Sequence, residues 1–114
     1  MLGSKRSENR RRNPRYLKWV RQQPCLVCGL APSDAHHAGR RYMGRKPPDD
    51  TCVPLCRFHH MEYHSRGRHW WISHHGFDPN DKISETWGRY LESLQAVART
   101  TRAPARENPQ IKQI

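Results

Sequence analysis

The feature that most constrains this chain is the placing of four cysteines and eight histidines within 114 residues. Cys25-x-x-Cys28 lies on a Cys-Leu-Val-Cys-Gly knuckle, and Cys56-x-x-His59 opens a run that can form a helix. Two such turns bring four soft ligands onto one tetrahedral ion, so the set reads as a structural zinc site of the Cys3His type. A redox dithiol at Cys25 and Cys28 competes with this reading, although no strand-then-helix thioredoxin pattern surrounds them. Cys52 is the odd cysteine; it reads as a half-buried strand residue, with replacement of one of the four ligands as the alternative.

A chain of this composition needs such a site. Hydrophobic residues make up 34% of it and the mean hydropathy is −1.08, which leaves one domain with a small core, and small cores are commonly supplemented by a metal or a disulfide. No run approaches the roughly 20 apolar residues of a membrane span. The start, Met1-Leu2-Gly3-Ser4-Lys5-Arg6, leads into more arginine rather than the apolar stretch of a secretory signal. The expected location is the cytoplasm, with no membrane association.

Once the zinc ligands are set aside, His36, His37, His60 and His64 stand out. His60 and His64 are four apart in the expected helix and project from one face, so they can share a cation. Adjacent strand residues point to opposite sides, so one of His36 and His37 can join that cation while the other faces a substrate. Three imidazoles with open positions are the pattern of a catalytic rather than a structural metal; incidental surface histidines are the blander alternative. His69, His74 and His75 lack such spacing and read as structural or solvent-facing.

Twenty-one lysines and arginines against ten acids give +11 and a pI near 10.3, the electrostatic footprint of a polyanion binder. The charge is uneven: residues 1–21 carry eight bases and one acid, whereas residues 22–98 are nearly balanced. Residues 1–12, with Arg10, Arg11 and Arg12, read as a disordered basic arm, residues 13–98 as the folded domain with its core at 25–65, and residues 99–114 as a polar basic tail. Solubilising tails would look similar. The loop after His37 adds Arg40, Arg41, Arg45 and Lys46, placed to reach phosphates or else simply solvated.

Along the domain, Asn13-Pro14 predicts a capped helix carrying Tyr16, Leu17 and Val20 on one face and ending before Pro24. Short strands are expected just before the basic loop and at Thr51-Cys52-Val53-Pro54-Leu55. Helices should follow at 56–65 and 69–75, the second closed by Gly76. After Asp78-Pro79, Ile83, Trp87, Tyr90, Leu91 and Leu94 make an apolar stripe. Trp70, Trp71 and Trp87 read as core, with base stacking as the alternative.

Cys25-Leu-Val-Cys28, Ala35-His36-His37, Val53-Pro54-Leu55-Cys56-Arg57-Phe58-His59-His60 and His64 together resemble the HNH endonuclease superfamily. With Tyr16-Leu17-Lys18-Trp19-Val20, Pro24, Asp49-Asp50, Trp70-Trp71 and His75-Gly76-Phe77-Asp78-Pro79, the chain looks like small phage and prophage HNH nucleases, including a recombination-enhancement type that works with a recombinase filament. The resemblance implies an α+β fold: a ββα-metal (His-Me finger) core with structural zinc, flanked by short helices and basic termini. It implies a metal-dependent DNA endonuclease in a bacterial host cell, with His37 as general base and His36, His60 and His64 as ligands of one catalytic cation (Mg2+, Mn2+, Ni2+ or Zn2+). Thr51 stands where the motif has asparagine, nine residues before His60, so Thr51 or Asp50 is expected to orient the base. Duplex DNA held by its phosphates is the expected partner, and a monomer is expected, since no heptad pattern argues for a dimer. A non-catalytic zinc DNA-binding module, or a nuclease of this fold acting on RNA, are the rival expectations.

Overall fold

The computed structural model describes residues 8–40 and 45–102. The first seven residues of the expected arm, Arg41, and the tail beyond residue 102 lie outside the described residues. Helix α1 (Pro14–Arg21) starts where the Asn13 side chain accepts a hydrogen bond from the Tyr16 N–H at 3.0 Å, with proline at the first helical position, where its missing N–H costs nothing. Strand β1 (Asp34–His37) follows the cysteine knuckle, and a 3₁₀ turn (Asp49–Thr51) leads into β2 (Cys52–Leu55). Helices α2 (Arg57–Arg66) and α3 (Arg68–His75) come next. A 3₁₀ turn (Pro79–Lys82), capped by the Asp78 side chain, introduces the long α4 (Ile83–Arg102).

The two strands pair antiparallel, Asp34 with Leu55, Ala35 with Pro54, His36 with Val53 and His37 with Cys52. All four residues of β2 are buried, because the strand is the seam between two small cores. On one side Tyr16 and Val20 of α1 and Trp87 and Tyr90 of α4 close over Cys52. The Tyr16 ring meets both Trp87 and Tyr90 edge-on at 4.9 Å, the favoured arrangement of aromatic quadrupoles, and its hydroxyl donates to the Cys52 carbonyl at 2.9 Å. On the other side Leu55, Trp71 and Cys25 pack with Tyr63, Trp70 and Phe77. Helix α3 ends at Gly76, whose φ of 79° is the left-handed cap that glycine adopts without strain.

Three expectations change. Residues 8–12 are not a free arm: Glu8 accepts a hydrogen bond from the Tyr90 hydroxyl at 2.8 Å and pairs with Arg15. The carbonyls of Arg10 and Arg11 accept from the N–H groups of Asp50 and Asp49. Composition registers the arginines there but not the backbone edge on which they dock. Helix α4 runs past residue 98 to Arg102, and its stripe is narrower than expected, with Leu91 exposed and Thr86 buried beside Trp87. Cys52 is wholly buried rather than half-buried. Among the described residues no helix is long and apolar enough to cross a membrane.

Candidate metal centres

Ligand atoms of Cys25, Cys28, Cys56 and His59 lie within 4.8 Å of one another. The knuckle is closed by the Gly29 N–H donating to the Cys25 carbonyl and the Cys25 N–H donating to the Leu30 carbonyl. The second pair comes from the start of α2, where Cys56 is the N-cap and its sulfur accepts from the His59 N–H. The sulfurs of Cys28 and Cys56 are 3.8 Å apart, and His59 Nδ1 is 3.3 Å and 3.7 Å from the sulfurs of Cys56 and Cys25. A tetrahedron with bonds of about 2.3 Å to sulfur and about 2.05 Å to nitrogen has edges of about 3.8 Å and about 3.6 Å. The cluster is therefore compatible with a structural metal. Burial opposes ionisation of Cys25, but N–H groups of Cys28, Cys56 and Val27 hold its thiol below the usual cysteine range. Burial and the neighbouring sulfurs push Cys56 the other way. Cys52 stays out of this cluster; burial and nearby Asp49 push its thiol up to about 12.

One residue further along α2 a second cluster begins. A nitrogen from each of His36, His60 and His64 lies within 4.8 Å of the others, with His60 Nε2 and His64 Nε2 3.2 Å apart. His60 Nδ1 faces the Asp34 carboxylate at 2.9 Å; a carboxylate only accepts, so it fixes the proton on Nδ1 and turns the Nε2 lone pair toward the other rings. His36 is 4% exposed, and its Nε2 is buried with no hydrogen-bond partner among the described residues. Such an orphan is costly unless something binds there. Burial, and then the charges of His60 and His64, lower the His36 pKa to about 3, so the ring is neutral and its lone pair free at ordinary pH. Burial also lowers His64.

His37, on the opposite face of β1, meets a different carboxylate. Its Nε2 is 3.0 Å from Asp49 Oδ1, while the other Asp49 oxygen accepts from the Asn13 N–H at 2.8 Å. Burial works against the Asp49 carboxylate, but the His37 and Asn13 hydrogen bonds keep it below its usual range. Among the described residues, neither residue expected to orient His37 is hydrogen-bonded to its ring. Asp50 pairs with Arg10 at 2.6 Å, and the Thr51 hydroxyl donates to the Pro48 carbonyl. Thr51 acts one residue away instead, its carbonyl accepting from the Ala38 N–H at 3.0 Å. It packs so closely on Gly39 that a Cβ there would stand 2.7 Å from its methyl group.

The model for the family described as "Protein of unknown function (DUF968)" matches residues 2–86, a span that holds both clusters and the His37–Asp49 pair. The chain belongs to the DUF968 family. It is also 44% identical over 54 residues to "Uncharacterized protein YdfU" of Escherichia coli K12, a match covering 45% of this chain and 16% of that protein. The chain thus spans only a small part of the length of the curated relative it matches. No solved structure matches it.

In this DUF968 chain His36, His37, His60 and His64 line one cleft with Ala35, Gly39, Lys46 and Pro47. Of the expected basic residues, Arg40 is exposed. Arg11, Arg12, Arg45 and Lys46 line a neighbouring cleft with Pro47, Pro48 and Asp49, while Arg10 turns to Asp50 and lies over the Trp87 ring. Sequence reading missed Asp49 and Asp34, which act on histidines 12 and 26 residues away; no local spacing signals contacts that the sheet and the helix create. His75, expected to be structural or solvent-facing, is half-buried with its Nε2 2.9 Å from Glu62 Oε1 beside His59.

Proposed function

We propose that this chain is a metal-dependent DNA endonuclease of the HNH type, with a structural zinc on Cys25, Cys28, Cys56 and His59 and one catalytic cation on His36, His60 and His64. The observation that carries the proposal is the buried, unpartnered Nε2 of His36, aimed at the nitrogens of His60 and His64 in the same cleft as His37. The β1–β2–α2 order supports a ββα-metal core, since the strands supply His36 and His37 and the helix supplies His60 and His64.

When bound, the cation would supply positive charge to a nonbridging phosphate oxygen and to the leaving 3′ oxygen. The remaining chemistry belongs to the chain. Asp49 accepts from His37 Nε2, which fixes the proton there and leaves the Nδ1 lone pair to take a proton from an attacking water. Asn13 in turn holds Asp49, so the base rests on helix α1 as well as on its own strand. We assign the orienting task to Asp49 in place of Asp50 or Thr51, and to Thr51 the shaping of the loop after His37.

Incubation of the purified protein with supercoiled plasmid, with and without Mg2+ or Mn2+, tests the proposal, with His37→Ala as the control. Cation-dependent relaxation or linearisation that His37→Ala lacks is expected. Tight plasmid binding without cation-dependent cleavage would leave a zinc-containing DNA-binding module, and cleavage of RNA alone would move the same site to the other nucleic acid.

A further inference from the structure

The basic groups are not spread evenly around the three-histidine cleft. On one side a second cleft opens, lined by the exposed Arg11, Arg12, Arg45 and Lys46, and it shares Lys46 and Pro47 with the first. None of these four cations has an ion-pair partner among the described residues. The single acid in the lining, Asp49, is hydrogen-bonded to His37 and Asn13 and also feels the charge of Lys46, with which it forms no ion pair. A third cleft shares His60 and His64 with the first, and the one lysine or arginine in its lining, Arg57, is paired with Asp34 at 3.4 Å. Arg10, although it is next to Arg11 in sequence, is committed to Asp50 at 2.6 Å.

We infer that the Arg11–Arg12–Arg45–Lys46 cleft is a one-sided track for the phosphates of duplex DNA, leading away from the three-histidine cleft past Lys46. Its placement beside the scissile bond rests on the nuclease proposal; the track itself is a statement about binding. Two chain segments distant in sequence build it, the arm through Arg11 and Arg12 and the loop through Arg45 and Lys46. The backbone bonds from Asp49 and Asp50 to Arg11 and Arg10 hold the two together. Four exposed cations without an ion-pair partner among the described residues suit successive phosphodiesters.

The test measures binding of a short DNA duplex over a range of salt concentrations by the His37→Ala protein, in which cleavage does not interfere. Substituting Arg11, Arg12, Arg45 and Lys46 together by glutamine should reduce the slope of log affinity against log salt by roughly 0.9 per lost contact, roughly 3.6 in all. A matched variant removes the same formal charge at Lys18, Arg21, Arg66 and Arg89, which are exposed and outside the lining; it should retain nearly the full slope. All eight positions are exposed, so both variants should give the wild-type circular dichroism spectrum. Equal losses in the two variants would overturn the track and leave only net charge. If the slopes differ as expected while the wild-type protein never cuts plasmid, the track stands and the nuclease proposal falls. If plasmid is cut but the slopes are alike, the reverse holds.

Discussion

The Cys25–Cys28–Cys56–His59 cluster and the His36–His60–His64 cluster meet at consecutive residues of α2, His59 and His60, yet they differ in ligand type, ligand number and surroundings. Successive helical residues are about 100° apart around the axis, so the two rings face different surroundings. His59 turns toward the knuckle and the Trp71 core; His60 turns toward β1 and the open cleft. The first cluster offers four ligand atoms at tetrahedral edge lengths, so no position is left for a substrate. The second offers three nitrogens lining an open cleft, with Asp34 behind one and the His37–Asp49 pair beside them. The difference teaches that one short helix can contribute to two separate sets of potential metal ligands, provided they fall on different faces; on the nuclease proposal, one set would hold the fold and the other would work on a substrate.

The largest effect should come from emptying the first cluster. Structural zinc in small domains contributes roughly 10–16 kcal/mol at neutral pH, comparable with or above the roughly 5–15 kcal/mol that holds a whole domain. Cys28→Ser or strong chelation should therefore abolish the cooperative thermal transition, read by circular dichroism. Emptying the second cluster with His60→Ala should leave that transition in place.

Next in size is the loss of the proposed base. His37→Ala should slow cleavage by roughly two to four orders of magnitude, the usual contribution of a positioned general base, while Mn2+ affinity measured by calorimetry stays near the wild-type value. If His37→Ala and His36→Ala lost affinity equally, the two faces of β1 would have been assigned the wrong way round.

Asp34→Asn should act between these extremes. The amide no longer fixes the His60 tautomer as the carboxylate does, and loss of such a supporting carboxylate typically costs roughly 10- to 100-fold in metal affinity. The titration that measures this should show an unchanged stoichiometry.

The same comparison has a pH signature. His36 is held at about 3 in the folded chain against an ordinary value of 6.5. Between those values the unfolded chain binds a proton that the folded chain refuses, so stability falls as pH is lowered through this window. A full proton corresponds to about 1.4 kcal/mol per pH unit. Denaturant titrations of wild type and His36→Gln over this range, without added divalent cation, should differ by up to that slope, the wild type being the steeper.

The smallest effect is expected from the N-terminus. Deleting residues 1–7 leaves Glu8 on Tyr90 and the Arg10 and Arg11 carbonyls on the 3₁₀ turn, so turnover at saturating DNA should be unchanged. Deleting through residue 12 removes the hydrogen bonds that hold Asp49 and Asp50, and turnover should fall. Initial rates on plasmid separate the two.

How much of this was legible in the sequence follows from what each contact depends on. Cys25-x-x-Cys28, Cys56-x-x-His59 and the His60–His64 pair were legible because turn and helix geometry fix which side chains meet at short range. The α1 cap at Asn13 and the Gly76 stop were legible for the same reason. Asp49 was hidden by two neighbours of similar character, Asp50 and Thr51, and only the pairing of β1 with β2, which sets the preceding 3₁₀ turn beside His37, chooses among them. The docking of residues 8–12 was hidden because it runs largely through backbone carbonyls, which carry no mark in the side-chain pattern. Leu91 shows the converse error, a residue with the right periodicity on a helix whose packing surface is narrower than its apolar stripe.

The central claim, one ion that folds the chain and another that does not, is tested most directly by titrating Co2+ into metal-free protein while following absorption and circular dichroism together. The first equivalent should bring thiolate-to-cobalt charge-transfer bands and the helical signal in step, and a second, weaker equivalent should bind without either and be lost in His60→Ala. A cooperative fold before any cobalt is added, or a single equivalent that His60→Ala leaves unaltered, would contradict it.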